Sequence, residues 1–166
     1  MISFLFLLMV NLPRPQVGEP LPAFAAKTLA GTVVRNDNLK GHVTVVDFFA
    51  SWCLPCNESL QEILAVRKGL DSRFEMMVVA VEGDTPALRA FLSSHALPAG
   101  PAGITVALDQ DGSLARTFGE DRLPTTFFVD EQAIIRHINR GYGSGFRVRA
   151  TRWLNAMIST RIKVSN

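Results

Sequence analysis

Two kinds of apolar pattern alternate along this chain. Residues 43–49 and 74–81 are near-continuous apolar runs rich in β-branched and aromatic side chains, the composition of strands buried on both faces. Between them Leu60, Ile63 and Leu64 recur three and four positions apart, which predicts a helix over about residues 55–70. The pattern then repeats. Gly83, Asp84, Thr85 and Pro86 place a capping residue and a proline where a helix opens, and Leu88, Phe91 and Leu92 give that helix an apolar stripe. Residues 98–103 read as a loop, 104–108 as a short strand, 109–112 as a turn and 114–118 as a short helix. A strand follows Pro124, residues 131–132 turn the chain, and 133–138 form the hairpin partner. A last helix is predicted over about residues 146–162, with Val148, Trp153, Met157 and Ile158 facing the core. Upstream, residues 29–34 suggest two short strands meeting at a turn around Gly31. Strand–helix–strand order predicts right-handed crossovers and a sheet with helices on both faces.

The N-terminus stands apart from this pattern. Residues 2–12 are apolar except for Ser3 and Asn11, and Pro13-Arg14-Pro15 ends the run. That length is too short to span a bilayer as a helix but matches the apolar region of an export signal. No Lys or Arg precedes it, and no small-x-small cleavage site follows directly. Residues 1–16 are therefore expected to be a signal- or anchor-like segment with a linker, the alternative being a buried or frayed start of a cytoplasmic protein. Residues 17–166 are expected to form one domain, entered through the extended, Pro-rich stretch 17–24. With 48% hydrophobic and 19% charged residues the chain is globular, and a net charge of +2 implies no nucleic-acid partner.

Cys53 and Cys56 are the only cysteines, and they sit where the strand of residues 43–49 hands over to a helix. At a helix N-terminus, unpaired N–H groups and the positive dipole end stabilise an anion, so Cys53 is expected to ionise more readily than a free thiol. Cys56 lies one turn along, within reach of a disulfide that opens and closes by exchange. Pro55 fits the first helical turn, where its missing N–H is harmless. A structural zinc site would need two further ligands, and His42, His95 and His137 are isolated from one another in sequence. A purely structural bridge over so short a loop would remove little entropy from the unfolded chain. Asp47 interrupts the apolar strand; buried without partners, such a carboxyl raises its pKa and stays protonated, unless it faces solvent or caps a loop.

The segment Phe48-Phe49-Ala50-Ser51-Trp52-Cys53-Leu54-Pro55-Cys56 resembles the active site of the thioredoxin superfamily. Its flanks are similar to the branch of extracytoplasmic thiol:disulfide oxidoreductases typified by the TlpA, ResA and CcmG proteins, over roughly residues 17–166. The resemblance implies a thioredoxin-like α/β fold: a central mixed β-sheet flanked by helices, an N-terminal β-hairpin, and a helix–strand insertion near residues 85–108. Leu123-Pro124 matches the loop that carries a cis-proline facing the disulfide, which would pair the Leu123 backbone with an extended client segment and keep metal ions off the cysteines.

By the same resemblance Cys53 attacks a client disulfide and Cys56 resolves the mixed disulfide. Asp47 matches the buried acid that handles the Cys56 proton. Trp52, Leu54 and Pro55 join Leu123 and Pro124 as the expected client-binding residues, with Trp52 a surface platform. An acid following the second strand, Glu82 or Asp84, is also expected near the site, although a solvated or capping role is open to both. No cofactor beyond the redox-active Cys53–Cys56 disulfide and no metal is expected. The implied partners are disulfide-bearing client proteins and a membrane electron donor, for a monomer on the periplasmic side of a membrane that serves cytochrome c maturation or other clients. Two alternatives remain at this point: an oxidant that introduces disulfides, and a copper-binding metallochaperone on the same fold.

Overall fold

The computed structural model describes residues 14–97 and 103–164, with side chains through residue 159. The apolar stretch of residues 2–12 and all but Gly103 of the expected 98–103 loop lie outside the described residues. Five strands form the main sheet: β3 (Thr44–Phe49), β4 (Glu75–Ala80), β5 (Ile104–Leu108), β6 (Thr125–Val129) and β7 (Ile135–Arg140). Their spatial order is β5-β4-β3-β6-β7, with β3, β4 and β5 parallel and β6 and β7 antiparallel, so the sheet is mixed as expected. Every residue of β3 is buried because the strand is central and covered on both faces.

Strand alternation divides the core in two. Val45 and Phe49 of β3, with Met76, Val78 and Ala80 of β4 and Phe128 of β6, face a layer built by α1 (Leu54–Gly69), α2 (Pro86–Ser94) and α4 (Phe146–Val164). Val46, Phe48, Met77, Val79, Phe127 and Val129 face the opposite layer, which holds α3 (Ser113–Thr117) and the N-terminal segment. There Phe24, Phe48, Phe118 and Phe127 stack edge-on or tilted, with ring centroids 5.1–6.1 Å apart.

The N-terminal hairpin is present with its first strand earlier than expected. Strand β1 (Ala25–Lys27) pairs antiparallel with β2 (Val33–Arg35), and Gly31, at φ +83°, sits in the connecting turn. Residues 28–30 instead cross to the sheet edge, where Thr28 bridges Ala107 and the Leu29 N–H bonds the Val106 carbonyl at 2.9 Å. The extended entry runs beside the start of β7, through Gly18 and Leu21 N–H bonds to Ile135 and Ala133.

One core assignment fails. Val148 is 73% exposed, whereas Phe146, Ala150, Leu154 and Ile158 of α4 are buried. The buried set keeps a strict spacing of four, and Val148 is two residues off it, about 200° around the helix. Trp153 and Met157 pack at the edge of that layer, Trp153 against Phe128 at 5.1 Å and flat on His137 at 4.5 Å. Nor are the other histidines gathered: His42 lies 3.4 Å from Glu75 at the surface, and His95 stacks on Phe91.

Candidate functional site

Helix α1 begins immediately after Cys53, which is its N-cap in extended backbone conformation. Its Sγ accepts the Cys56 N–H at 3.3 Å, so the sulfur occupies the place that a hydroxyl or carboxylate oxygen takes at ordinary caps. Pro55 lies in the first turn, and Cys53 and Cys56 are joined in a disulfide. The two sulfurs are not equivalent: Cys53 is 7% exposed and Cys56 fully enclosed. Only the first is reachable by another protein.

The loop that delivers Cys53 is held from the neighbouring strand. Beyond β4, the Glu82 carboxylate accepts both the N–H and the hydroxyl of Ser51, the latter at 3.0 Å. It also lies 3.5 Å from the hydroxyl of Thr85, which caps α2 by accepting the Leu88 N–H at 3.1 Å. Asp84 does neither of these things; it pairs with exposed Arg89 at 2.6 Å, and the cap expected near it is Thr85.

Asp47 lies on β3, the strand that leads into the Cys53 loop. Alternation along β3 sets its side chain between Val45 and Phe49, on the sheet face covered by α1, and it is completely buried. Its Oδ1 accepts the hydroxyl of Thr126 at 2.6 Å, from the residue directly opposite on β6. Oδ2 has no hydrogen-bond partner. Burial pushes the Asp47 carboxyl up to about 7, against the Thr126 hydrogen bond, and the nearby Glu120 charge adds to the rise.

The peptide between Leu123 and Pro124 is cis, as the resemblance implied. Trp52, Cys53, Leu54, Pro55 and Leu123 line a groove of about 640 Å³, joined by Val81, Ala115, Glu120, Asp121 and Arg122. Trp52 and Leu54 stand out at its edge, 72% and 82% exposed. Among the described residues neither the N–H nor the carbonyl of Leu123 has an intramolecular partner, while the Pro124 carbonyl accepts the Gly141 N–H at 2.7 Å. Leu123 therefore offers an open backbone edge beside Cys53.

Sequence reasoning missed Thr126, Glu120 and Arg140. Thr126 was legible as the second threonine after Pro124, on the strand that the pattern predicts. Glu120 was not, because Glu120-Asp121 reads as a pair of solvated loop acids. Gly119 decides between them: in left-handed conformation at φ +62° it ends α3, and the Glu120 N–H turns back to the Ala115 carbonyl at 2.8 Å. Glu120 is thereby carried inward to Arg140 at 3.0 Å, and Asp121 outward to Arg14 at 2.7 Å.

Among the described residues no group of three or more His, Cys, Asp or Glu is placed to hold a metal ion, and no helix is long and apolar enough to cross a membrane. Comparison with known proteins agrees with the geometry. The Redoxin family profile matches residues 16–151. A "Thiol:disulfide interchange protein DsbE homolog" of Paracoccus denitrificans is 30% identical over 78% of this chain and 69% of its own length. The "Thioredoxin-like protein YneN" of Bacillus subtilis is 26% identical over 76% of this chain and 72% of its own. The crystal structure of a DsbE-type thiol:disulfide interchange protein from Chlorobium tepidum matches with a TM-score of 0.75 and 26% identity, covering 87% of this chain and 99% of that one. A helix-capping Cys53–Cys56 disulfide, a cis-proline beside it and relatives of this kind lead to one conclusion: the chain belongs to the Redoxin family, as a thioredoxin-like thiol:disulfide oxidoreductase.

Proposed function

We propose that the protein is a reductant of protein disulfides. The observation that carries this reading is the asymmetric disulfide at the start of α1, one sulfur reachable and the other enclosed. In the reduced protein the Cys53 thiolate, stabilised by the Cys56 N–H and the helix N-terminus, attacks one sulfur of the client disulfide and expels the other as a thiolate. Asp47 accepts the proton of Cys56. The Cys56 thiolate then attacks Cys53 Sγ, releases the second client sulfur and leaves the disulfide seen in the structure. Two electrons pass from the cysteine pair to the client. Trp52 and Leu54 supply an apolar platform, Pro55 stiffens it, and Leu123, held by the cis-Pro124 turn, pairs with extended client backbone.

The direction of flow rests on the resemblance to the TlpA, ResA and CcmG group, which implies a reductant. Strong oxidants of this chemistry owe their potential to a stabilised reduced form, so the potential of the Cys53–Cys56 couple separates the two directions. The resemblance to the TlpA, ResA and CcmG group supports a place on the outer side of a cytoplasmic membrane, recharging by a membrane electron donor, and clients that include apocytochromes in cytochrome c maturation. The reading takes the protein as a monomer with its cysteine pair as the sole redox group.

Equilibration with glutathione or dithiothreitol buffers tests the direction. A potential near roughly −270 mV is expected, and one near roughly −120 mV would make the protein an oxidant of its partners. Cys53→Ser tests the mechanism: it abolishes reduction of insulin-type disulfides, and turnover undiminished in that variant would sink it.

A further inference from the structure

Glu120 takes no part in the exchange steps above, yet it is the most enclosed ion-paired acid among the described residues. Its side chain is 2% exposed, against 13% for Asp130 in the next most buried pair. One carboxylate oxygen meets Arg140 at 3.0 Å and the other has no partner. An ion pair so placed is poor value for stability, since apolar residues of similar size commonly do as well. Its position suggests a different use. Strand β6 starts directly after Pro124, and its first two residues point to opposite faces of the sheet. Thr126 donates to Asp47 on the α1 side; Thr125, on the other side, stands opposite Arg140, the ion-pair partner of Glu120, in the ladder. One strand residue, about 3.3 Å of rise, separates the two threonines. Asp47 and the Glu120–Arg140 pair thus sit against adjacent residues of β6, inside a protein where charge is weakly screened.

We infer that Glu120 is a positioning residue for the exchange reaction: its charge, fixed by Arg140 behind the Pro124 turn, opposes ionisation of Asp47 and so sets the pH at which Cys56 can be deprotonated. The inference rests on the proposed role of Asp47. Competing groups are few. On Asp47's own face β4 presents Val78 opposite it, and α1, α2 and α4 present buried apolar side chains, Ser59 and the Cys56 sulfur. Glu82 lies at the end of β4 bonded to Ser51, His137 of β7 is stacked on Trp153, and Tyr142 packs at the edge of the layer. A negative charge at Glu120 acts on Asp47 in the same direction as burial.

Glu120→Gln keeps an acceptor for Arg140 and removes the charge. In the oxidised full chain, Asp47 is titrated through its carboxyl infrared band, assigned by its loss in Asp47→Asn, and the rate of insulin-type disulfide reduction is measured across the same pH range. Both the Asp47 midpoint and the acid limb of the rate profile are expected to move down by about half a pH unit, a threefold change in proton affinity. An Asp47 midpoint that stays in place overturns the inference. If the midpoint moves while the rate limb does not, and Asp47→Asn has the wild-type rate profile, the coupling stands and the proton role of Asp47 is overturned. Glu120→Leu, which removes the charge without an amide to satisfy, gives the same readout should Glu120→Gln fold poorly; Arg140, a quarter exposed, can then turn to water.

Discussion

Replacing Asp47 by Asn should make the folded protein more stable at neutral and alkaline pH. Folding moves the Asp47 carboxyl from 3.8 to about 7 by enclosing it, with one hydrogen bond from Thr126 as partial compensation. Three pH units at 1.36 kcal/mol each is about 4 kcal/mol. Below about pH 4 the carboxyl is protonated in both folded and unfolded chains, and its ionisation contributes nothing. Between about pH 4 and 7 the folded state holds a proton that the unfolded state has released, so stability falls as pH rises. Above about 7 the loss is complete. Asn has the same shape, still accepts from Thr126 and does not titrate. Urea unfolding of oxidised wild type and Asp47→Asn, with no thiols to titrate, should give a stability difference that grows in favour of the variant from pH 4 to 8 and then levels at about 4 kcal/mol. Other titrating groups cancel in the difference. A flat difference curve, or one that grows in favour of wild type, would refute the account of Asp47 as a buried, protonated acid.

The loop and the groove make two further claims. Glu82→Ala removes the acceptor of the Ser51 N–H and hydroxyl and should destabilise the oxidised protein by about 1–2 kcal/mol, with slower disulfide exchange; unfolding in urea and single-turnover reduction check both, whereas Asp84→Ala, whose partner Arg89 is exposed, should change neither by more than about 0.5 kcal/mol or its rate equivalent. Trp52→Ala and Leu54→Ala remove apolar surface that already faces water, so stability should stay within about 0.5 kcal/mol while KM for a protein disulfide rises several-fold; an unchanged KM with a fallen melting temperature would contradict the platform role.

Hydrophobic periodicity by itself determined the element order of this protein. A strand enclosed on both faces must be apolar at every position, and a helix on its surface must repeat every three to four, so residues 43–49, 55–70 and 74–81 declared their states without reference to one another. The same physics located the chemistry, because a strand-to-helix junction supplies unpaired N–H groups wherever it occurs, and Cys53 stood at that junction. Phase was harder. Val148 has the right composition for the core, and only the docking of α4 through Phe146, Ala150, Leu154 and Ile158 shows that it faces away. The polar groups around the cysteines were decided by tertiary structure alone. Asp47 could be recognised as anomalous in its strand, but its partner is 79 residues away on β6, and Ser51 meets Glu82 across 31 residues. Of two adjacent acids, Glu120 is enclosed with Arg140 and Asp121 lies at the surface, because one left-handed glycine turns the chain between them and α3. Burial and long-range pairing set the charge of a carboxyl, and neither is a property of the residues beside it in sequence.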